Sequence, residues 1–308
     1  MSKKKPLALK KGDTIGIMAP SSTLSEDHIA KTIIMLKDRG YKVFVHPQTF
    51  ATLGPSAGTP QEKAAAIADL YRDPTIKAIF LARGGNRAGA VLPYLDYRLI
   101  KKNPKIIMGY SDATVLLNTI QKKAGVITFH GPVAKDMTKW DDAQLKQCFN
   151  LLQGKPSDMP LKDAAILQRG DASGKLIGGN LSLIISLLGT PYEPDFKGAL
   201  LFLEDCNDEK SRIDRMFIHL ANAGVFKKIN GLILGTFSNL TDSGAPFTLS
   251  FEDIVNEAVG SAHIPVIMDA PFGHGKDLYT LPVGAEARLS ATRKGQAKLR
   301  LDGPAVTL

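Results

Sequence analysis

A serine in the stretch GYSDAT has a sequence setting that suits a nucleophile. Ser111 follows the apolar run KIIMG and begins the helix-like pattern SDATVLLNTIQKKAG. A strand–helix turn of this kind, with Gly109 in it, holds the hydroxyl out from the backbone and directs the next N–H groups, beginning with Asp112, towards a reacting centre. The stretch lacks the second glycine of G-x-S-x-G, so a helix N-cap at Ser111 or Asp112 is the competing interpretation.

A serine nucleophile needs a base, and the base needs an orienting group. Of the six histidines, His130 and His274 are the two candidates, because the other four have no motif around them. His274 is flanked by glycines, which allow the backbone to approach a ligand closely. Glu204 closes the apolar strand ALLFLE, where its carboxylate could accept an imidazole N–H. The competing interpretations are a structural histidine in a glycine-rich loop and an ion pair of Glu204 with Arg212 or Arg215.

The glycine pair of RGGNRAG follows another predicted strand and indicates a loop that approaches a substrate or donates N–H groups. The chain contains neither G-x-G-x-x-G nor the P-loop signature GK[ST], so it predicts no dinucleotide or nucleoside triphosphate site. It also lacks H-E-x-x-H and paired His–Cys spacings, and so predicts no metal site. We therefore expect an enzyme without a cofactor.

The composition is that of a folded globular protein, with 44% hydrophobic and 22% charged residues. Lysine and arginine outnumber acidic residues by 39 to 30, a net charge of +9 at pH 7. Because these basic residues are scattered and not interleaved with aromatic ones, a nucleic-acid groove is not predicted, whereas an acidic small substrate fits the excess.

Two features bear on where the protein works. No apolar run reaches the roughly 18–20 residues of a membrane helix, and the basic N-terminus MSKKKPLALKKGD lacks the apolar core of a secretory signal. Only Cys148 and Cys206 are present, too few for a disulfide framework. We expect a solvated N-terminal tail on a cytoplasmic protein that does not bind membranes.

Strand and helix patterns alternate through the first half of the chain, which predicts a parallel sheet covered by helices. The pattern loosens between residues 141 and 173, where turn residues are frequent, so we predict an N-terminal α/β/α domain at 1–160 and a smaller mixed α/β domain at 161–308. The end of the chain alternates polar and apolar residues in LYTLPVGAEARLSAT and AKLRLDG, which is typical of antiparallel strands.

Several motifs together resemble one known family. RGGNR, LPYLD, GYSDAT, TFHGP, GGNLSLI, LFLED, RIDRM and APFGHG occur in the order and approximate spacing of the LD-carboxypeptidases, the muramoyltetrapeptide carboxypeptidases of bacterial peptidoglycan recycling. The resemblance extends from GDTIGIMAPSS to the PVG at Gly284. It implies a Ser–Glu–His triad in that chain order, which places the nucleophile at Ser111, the carboxylate at Glu204 and the base at His274.

The same resemblance implies further properties. The oxyanion donors would be the backbone N–H groups of Asp112 and Gly85, and the protein would be a cytoplasmic bacterial homodimer. The substrate would be a murein tetrapeptide, cut at the L,D-peptide bond that holds its terminal D-alanine. Its carboxylates suit a basic protein, and Arg83, Asn86 and Arg215 are the candidate substrate-binding residues.

Two departures from the family pattern concern the pocket and not the triad. The family often has Gly-Gly-Tyr-Gly where this chain has Gly-Gly-Asn86-Arg87, and often a tyrosine where this chain has Ser211. One alternative is therefore the related microcin C self-immunity type of serine peptidase, which cleaves a peptidyl or aminoacyl nucleotide. Another is a non-catalytic ligand-binding protein on an α/β scaffold.

Overall fold

The computed structural model describes residues 4–242, 246–260, 262–292 and 297–308 of the 308-residue chain. The chain forms two compact units. Unit 1 comprises Met1–Ser157, Tyr279–Gly284 and Gly303–Leu308, and unit 2 comprises Asp158–Leu278 and Ala285–Asp302. The two units therefore interleave along the sequence, since two short segments after residue 160 belong to unit 1.

The strands among the described residues are β1 (Thr14–Met18), β2 (Lys42–Val45), β3 (Ile76–Leu81), β4 (Ile106–Gly109), β5 (Thr128–His130), β6 (Ala165–Gln168), β7 (Gly170–Asn180), β8 (Leu200–Cys206), β9 (Gly231–Ser238), β10 (Val266–Met268), β11 (Leu281–Val283), β12 (Glu286–Ala291) and β13 (Lys298–Leu301). The α-helices are α1 (Asp27–Asp38), α2 (Pro60–Arg72), α3 (Tyr97–Lys102), α4 (Thr114–Ala124), α5 (Asp142–Leu152), α6 (Leu181–Leu187), α7 (Lys210–Asn222) and α8 (Phe251–Val259). Short 3₁₀ turns occur as well, one of them over Ser111–Ala113.

Unit 1 is built on a six-stranded sheet in the order β11-β5-β4-β3-β1-β2. All pairs are parallel except β11, which runs antiparallel to β5. Residues of β4 are wholly buried and those of β1 and β3 nearly so, while α2 and α4 contact the sheet. Strands covered by helices on their faces can be continuously apolar, and the predicted parallel α/β fold is confirmed.

Local sequence signals explain where two helices of unit 1 begin and end. Helix α2 starts with a capping box, in which the Thr59 side chain accepts from the Glu62 N–H and the Glu62 carboxylate accepts from the Thr59 N–H. Helix α4 ends at Gly125, whose φ of 70° is left-handed. Helix α1 begins at Asp27, and the N–H of Ser25, two residues before it, donates to Nδ1 of His28.

The region between residues 141 and 173, where the sequence pattern loosens, contains regular elements as well as the division between Ser157 and Asp158. It contains α5, which is capped by Asp141 and buries Leu145, Phe149 and Leu152. The stretch GDASG, from Gly170 to Gly174, lies among these turn residues in the sequence but forms the start of β7. Its glycines permit close backbone approach, because a Cβ at Gly174 would overlap the Gly198 carbonyl oxygen.

Residues 4–13 do not form the solvated tail that the sequence predicts. Residues 1–3 of that tail lie outside the described residues. The Ala8 N–H donates to the Thr307 carbonyl and the Leu9 N–H to the Leu152 carbonyl. Both Ala8 and Leu9 are buried, so apolar burial holds this segment against unit 1 despite its flanking lysines.

Unit 2 contains a seven-stranded mixed sheet in the order β13-β12-β7-β8-β9-β10-β6. Strands β7 to β10 pair in parallel, whereas β6, β12 and β13 pair antiparallel to their neighbours. The predicted antiparallel ending is thus confirmed. Helices α6, α7 and α8 bury apolar side chains in a common core with the sheet, centred on Phe217. None of the helices in the described parts of the chain is long and apolar enough to cross a membrane.

Candidate active site

Ser111 occupies a strained turn between β4 and α4. Its φ of 63° lies in the left-handed region, which is uncommon for any residue with a Cβ. Gly109 makes the turn possible, because a Cβ there would lie 3.0 Å from Cδ1 of Leu81 and 3.1 Å from Cβ of Ala113. A serine held in this conformation at the carboxyl end of a parallel strand has the geometry of a nucleophile elbow.

The double-glycine loop lies directly against this serine. A Cβ added at Gly84 would stand 2.9 Å from Cβ and 3.0 Å from Oγ of Ser111. Gly85 has a φ of 124°, and a Cβ on it would overlap Oγ of Ser22. The glycines therefore bring bare backbone next to Ser111 at Gly84 and next to Ser22 at Gly85.

The backbone N–H groups of Gly85 and Asp112 are the two predicted oxyanion donors. Neither donates a hydrogen bond to another residue in the part of the chain that the structure describes. Asp112 is also at the amino-terminal side of α4, where the helix dipole favours negative charge. Their role as oxyanion donors stays a prediction.

Gly84→Ala should lower kcat by a factor on the order of 10²–10³, the usual effect of losing an oxyanion donor, because a shift of the loop would displace the neighbouring Gly85 N–H. The new methyl group would force Ser111 or the loop to shift by a few tenths of an ångström. Gly89→Ala is the matched control, because a Cβ there meets nothing within 4 Å, and it should keep wild-type kcat. Steady-state kinetics of both variants test this, and a Gly84→Ala enzyme within threefold of wild type would contradict it.

The candidate substrate residues of unit 1 flank the same loop. The Arg83 guanidinium donates to the Thr23 carbonyl oxygen at 2.8 Å, and the exposed Asn86 donates its N–H to Ser22 Oγ at 3.3 Å. Ser22 was not among the predicted site residues, although its position after β1, at the carboxyl edge of a parallel sheet, is the signal that could have found it.

Unit 2 holds a glutamate–histidine pair at the carboxyl end of its parallel strands. The Glu204 side chain is fully buried on β8, and its Oε2 lies 2.7 Å from Nδ1 of His274 and accepts the His274 N–H at 3.2 Å. A Cβ at Gly273 would stand 2.7 Å from Cβ of Glu204, so this glycine is needed for the contact. With Nδ1 bonded to the carboxylate, Nε2 is the nitrogen that can take up a proton.

The neighbouring strand fixes the histidine from its other side. The Ser238 hydroxyl, at the end of β9, donates to the His274 carbonyl oxygen at 2.7 Å. Burial lowers the pKa of His274, but hydrogen bonds with Cys206 and Glu204 and the negative charge of Glu204 outweigh it, so the pKa is raised above its ordinary value. The pair therefore stabilises an imidazolium, as a general base requires once it has accepted a proton.

Two further candidates, His130 and Arg215, have these surroundings. His130 ends β5 in unit 1, fully buried, with its ring edge-on to that of Tyr110 at 6.3 Å. Arg215 is exposed on α7 of unit 2, in a shallow groove with Arg212 and Met216. Among the described residues no group of three or more His, Cys, Asp or Glu side chains could hold a metal ion.

Comparison with known proteins assigns this arrangement to a class of peptidases. The family model of the LD-carboxypeptidase N-terminal domain matches residues 15–131, which include Ser111. The model of the LD-carboxypeptidase C-terminal domain matches residues 173–289, which include Glu204 and His274. The chain belongs to the LD-carboxypeptidase family.

Its relatives carry two kinds of name. The probable murein peptide carboxypeptidase of Bacillus subtilis is 34% identical over 94% of this chain and 92% of its own length. The microcin C7 self-immunity protein MccF of Escherichia coli is 30% identical over 94% of this chain and 93% of its own length. The crystal structure of the muramoyltetrapeptide carboxypeptidase from Oxalobacter formigenes has a TM-score of 0.83 and 29% identity, covering 94% of this chain and 99% of that one.

Proposed function

We propose that this protein is a serine-type LD-carboxypeptidase that removes terminal D-alanine from murein tetrapeptides in peptidoglycan recycling. The observation that carries the proposal is Ser111, held at a left-handed φ with the bare backbone of Gly84 against its hydroxyl. Glu204 and His274 supply the second half of the chemistry, and murein peptide carboxypeptidases are among the relatives of the chain.

In the proposed reaction, Nε2 of His274 removes the proton of Ser111 while Glu204 stabilises the resulting imidazolium. The Ser111 oxygen bonds to the carbonyl carbon of the L,D-peptide bond, and the oxyanion accepts from the N–H groups of Asp112 and Gly85. The C–N bond then breaks, and the D-alanine amine leaves with the proton from His274. Water, deprotonated by His274, hydrolyses the acyl-enzyme and restores Ser111.

The remaining parts of the proposal concern recognition and setting. Arg83, Asn86 and Arg215 are proposed to bind carboxylates or polar groups of the peptide, which suits a chain of net charge +9. The protein is proposed to act in the bacterial cytoplasm as a homodimer and without a cofactor.

The microcin-type activity is the second candidate, because the self-immunity protein MccF is similar to this chain over nearly its whole length. Incubating the protein with a murein tetrapeptide and with an aminoacyl-sulfamoyl adenosine in parallel separates the two. We expect mass spectrometry to find free D-alanine and tripeptide in the first reaction and little change in the second. Preferential cleavage of the sulfamoyl adenosine would replace the proposal with the alternative.

A fluorophosphonate probe separates both peptidase activities from a non-catalytic binding protein. The probe reacts with activated serines, so we expect it to add its mass to the peptide that contains Ser111. Absence of labelling, together with no cleavage of either substrate, would leave ligand binding as the remaining function.

A further inference from the structure

Unit 1 buries a lysine that the proposed reaction does not use. Lys63 lies on α2 with a side chain only 1% exposed. Its Nζ donates to the Ser21 carbonyl oxygen at 2.9 Å and to Ser56 Oγ at 2.7 Å. Ser21 precedes Ser22, which accepts the N–H of Asn86 in the double-glycine loop. The ammonium therefore holds the segment that supports one side of this loop.

Asp112 holds the same loop two residues further along, at Ala88. Its carboxylate is 4% exposed and accepts the Ala88 N–H through Oδ2 at 2.9 Å. Burial raises the pKa of Asp112 above its ordinary value, although the hydrogen bond from the Ala88 N–H and the positive charge of Lys63 act to lower it. An ionised carboxylate accepts a stronger hydrogen bond than a neutral one. The positive charge of Lys63 favours the ionised form of Asp112, and therefore a stronger bond from the Ala88 N–H.

We propose that Lys63 is a positioning residue for the double-glycine loop, acting through Ser21 and Asp112 on the Gly85 N–H. The two contacts restrain the segment that directly follows Gly85, at Asn86 through Ser22 and at Ala88 through Asp112. The kinetic part of this inference rests on the proposed function, in which Gly85 binds the oxyanion. The structural part, in which the Asp112 carboxylate binds the Ala88 N–H, does not rest on the proposed function.

A second buried lysine provides a matched control. Lys105 is 7% exposed, and burial lowers the pKa of both lysines to about 8. The Lys105 Nζ donates to the carbonyl oxygens of Leu70 and Asp73, at the carboxyl-terminal end of α2. It thus shares the burial and bonding of Lys63 but none of its contacts near the loop.

Lys63→Met and Lys105→Met should both lower the melting temperature, since each leaves buried acceptors without their donor. Only Lys63→Met should speed hydrogen exchange of the peptide around Ala88, by about tenfold or more, because Asp112 then loses its compensating charge. Only Lys63→Met should lower kcat by a factor on the order of 10–10² with KM nearly unchanged, as expected when a transition-state contact loosens. Exchange by mass spectrometry and steady-state kinetics measure the two effects.

Equal exchange around Ala88 in the two lysine variants would overturn the inference, as would equal loss of kcat. If Lys63→Met does not fold, Asp112→Asn removes the charge that Lys63 compensates while Lys63 stays in place. Unchanged hydrogen exchange around Ala88 in that variant would also overturn the inference. A wild-type protein that neither releases D-alanine nor is labelled at Ser111 would refute the proposed function. The exchange comparison would still decide whether Lys63 positions the loop.

Discussion

Replacing Ser111 with alanine should lower D-alanine release by about 10⁴–10⁶-fold, the range found when a triad member is removed. Alanine lacks the oxygen that would bond to the carbonyl carbon, and no other hydroxyl takes that place in the proposed reaction. The fold should persist, because alanine and serine both have a Cβ and meet a similar cost at a φ of 63°. Release of D-alanine over time, normalised to folded protein by circular dichroism, measures the loss.

Ser186→Ala is a suitable control, because Ser186 is exposed on α6 and its hydroxyl only donates to the Leu183 carbonyl oxygen. It should retain full activity. A Ser111→Ala protein that kept kcat within tenfold of wild type would show that another group attacks the substrate. The fluorophosphonate adduct should also be absent from Ser111→Ala and present in the control.

Glu204→Gln should lower kcat by about 10³–10⁴-fold and also change its pH dependence. The carboxylate raises the pKa of His274, and the neutral imidazole is the base, so wild-type kcat/KM should rise with pH as His274 loses its proton. Removing the negative charge lowers that pKa, so the residual activity should reach half its plateau at a lower pH. The large loss follows because a glutamine amide that donates to Nδ1 would favour the wrong tautomer.

Profiles of kcat/KM against pH for both enzymes test the sign of the shift. Asp205→Asn is the neighbouring control, since Asp205 is buried and does not bond to His274. Its Oδ1 accepts from Asn180 and the Cys206 N–H, contacts that an asparagine oxygen can keep, and its Oδ2 accepts from the Ser182 N–H. Its profile should keep the wild-type midpoint. A Glu204→Gln midpoint at or above that of wild type would mean that Glu204 does not set the pKa of His274.

Local signals in the sequence predicted much of unit 1. The capping box at Thr59 and the stop at Gly125 are signals within a few residues, and the apolar strands reflect burial on both faces. Helix α5 was missed although Leu145, Phe149 and Leu152 have helical spacing, because the surrounding turn residues dominated the pattern. The glycines of β7 were misinterpreted since their role depends on a neighbouring strand far away in sequence.

The candidate site was predicted less completely from individual residues. Nothing within a few positions of Glu204 or His274 distinguishes a catalytic pair from structural residues, and only the order of several motifs favoured the pair. The left-handed φ of Ser111 and the contact with Gly84 are properties of the folded chain. The sequence does not predict a buried Lys63, because a lysine beside polar residues is usually solvated. In the fold, two hydrogen-bond acceptors bind its ammonium group instead of water.

The interleaving of the two units constrains how the protein can fold as it leaves the ribosome. Strand β11, which pairs with β5, and the segment around Thr307, which pairs with Leu7, are among the last parts of unit 1 to be synthesised. During translation the edge of β5 therefore stays unpaired while residues 158–278 of unit 2 are synthesised, and the segment near Leu7 stays unpaired until residue 307 is synthesised. We expect unit 1 to complete its fold only once residues 303–308 have been synthesised, so a stop codon before residue 303 should yield aggregated protein and not a shorter, stable one.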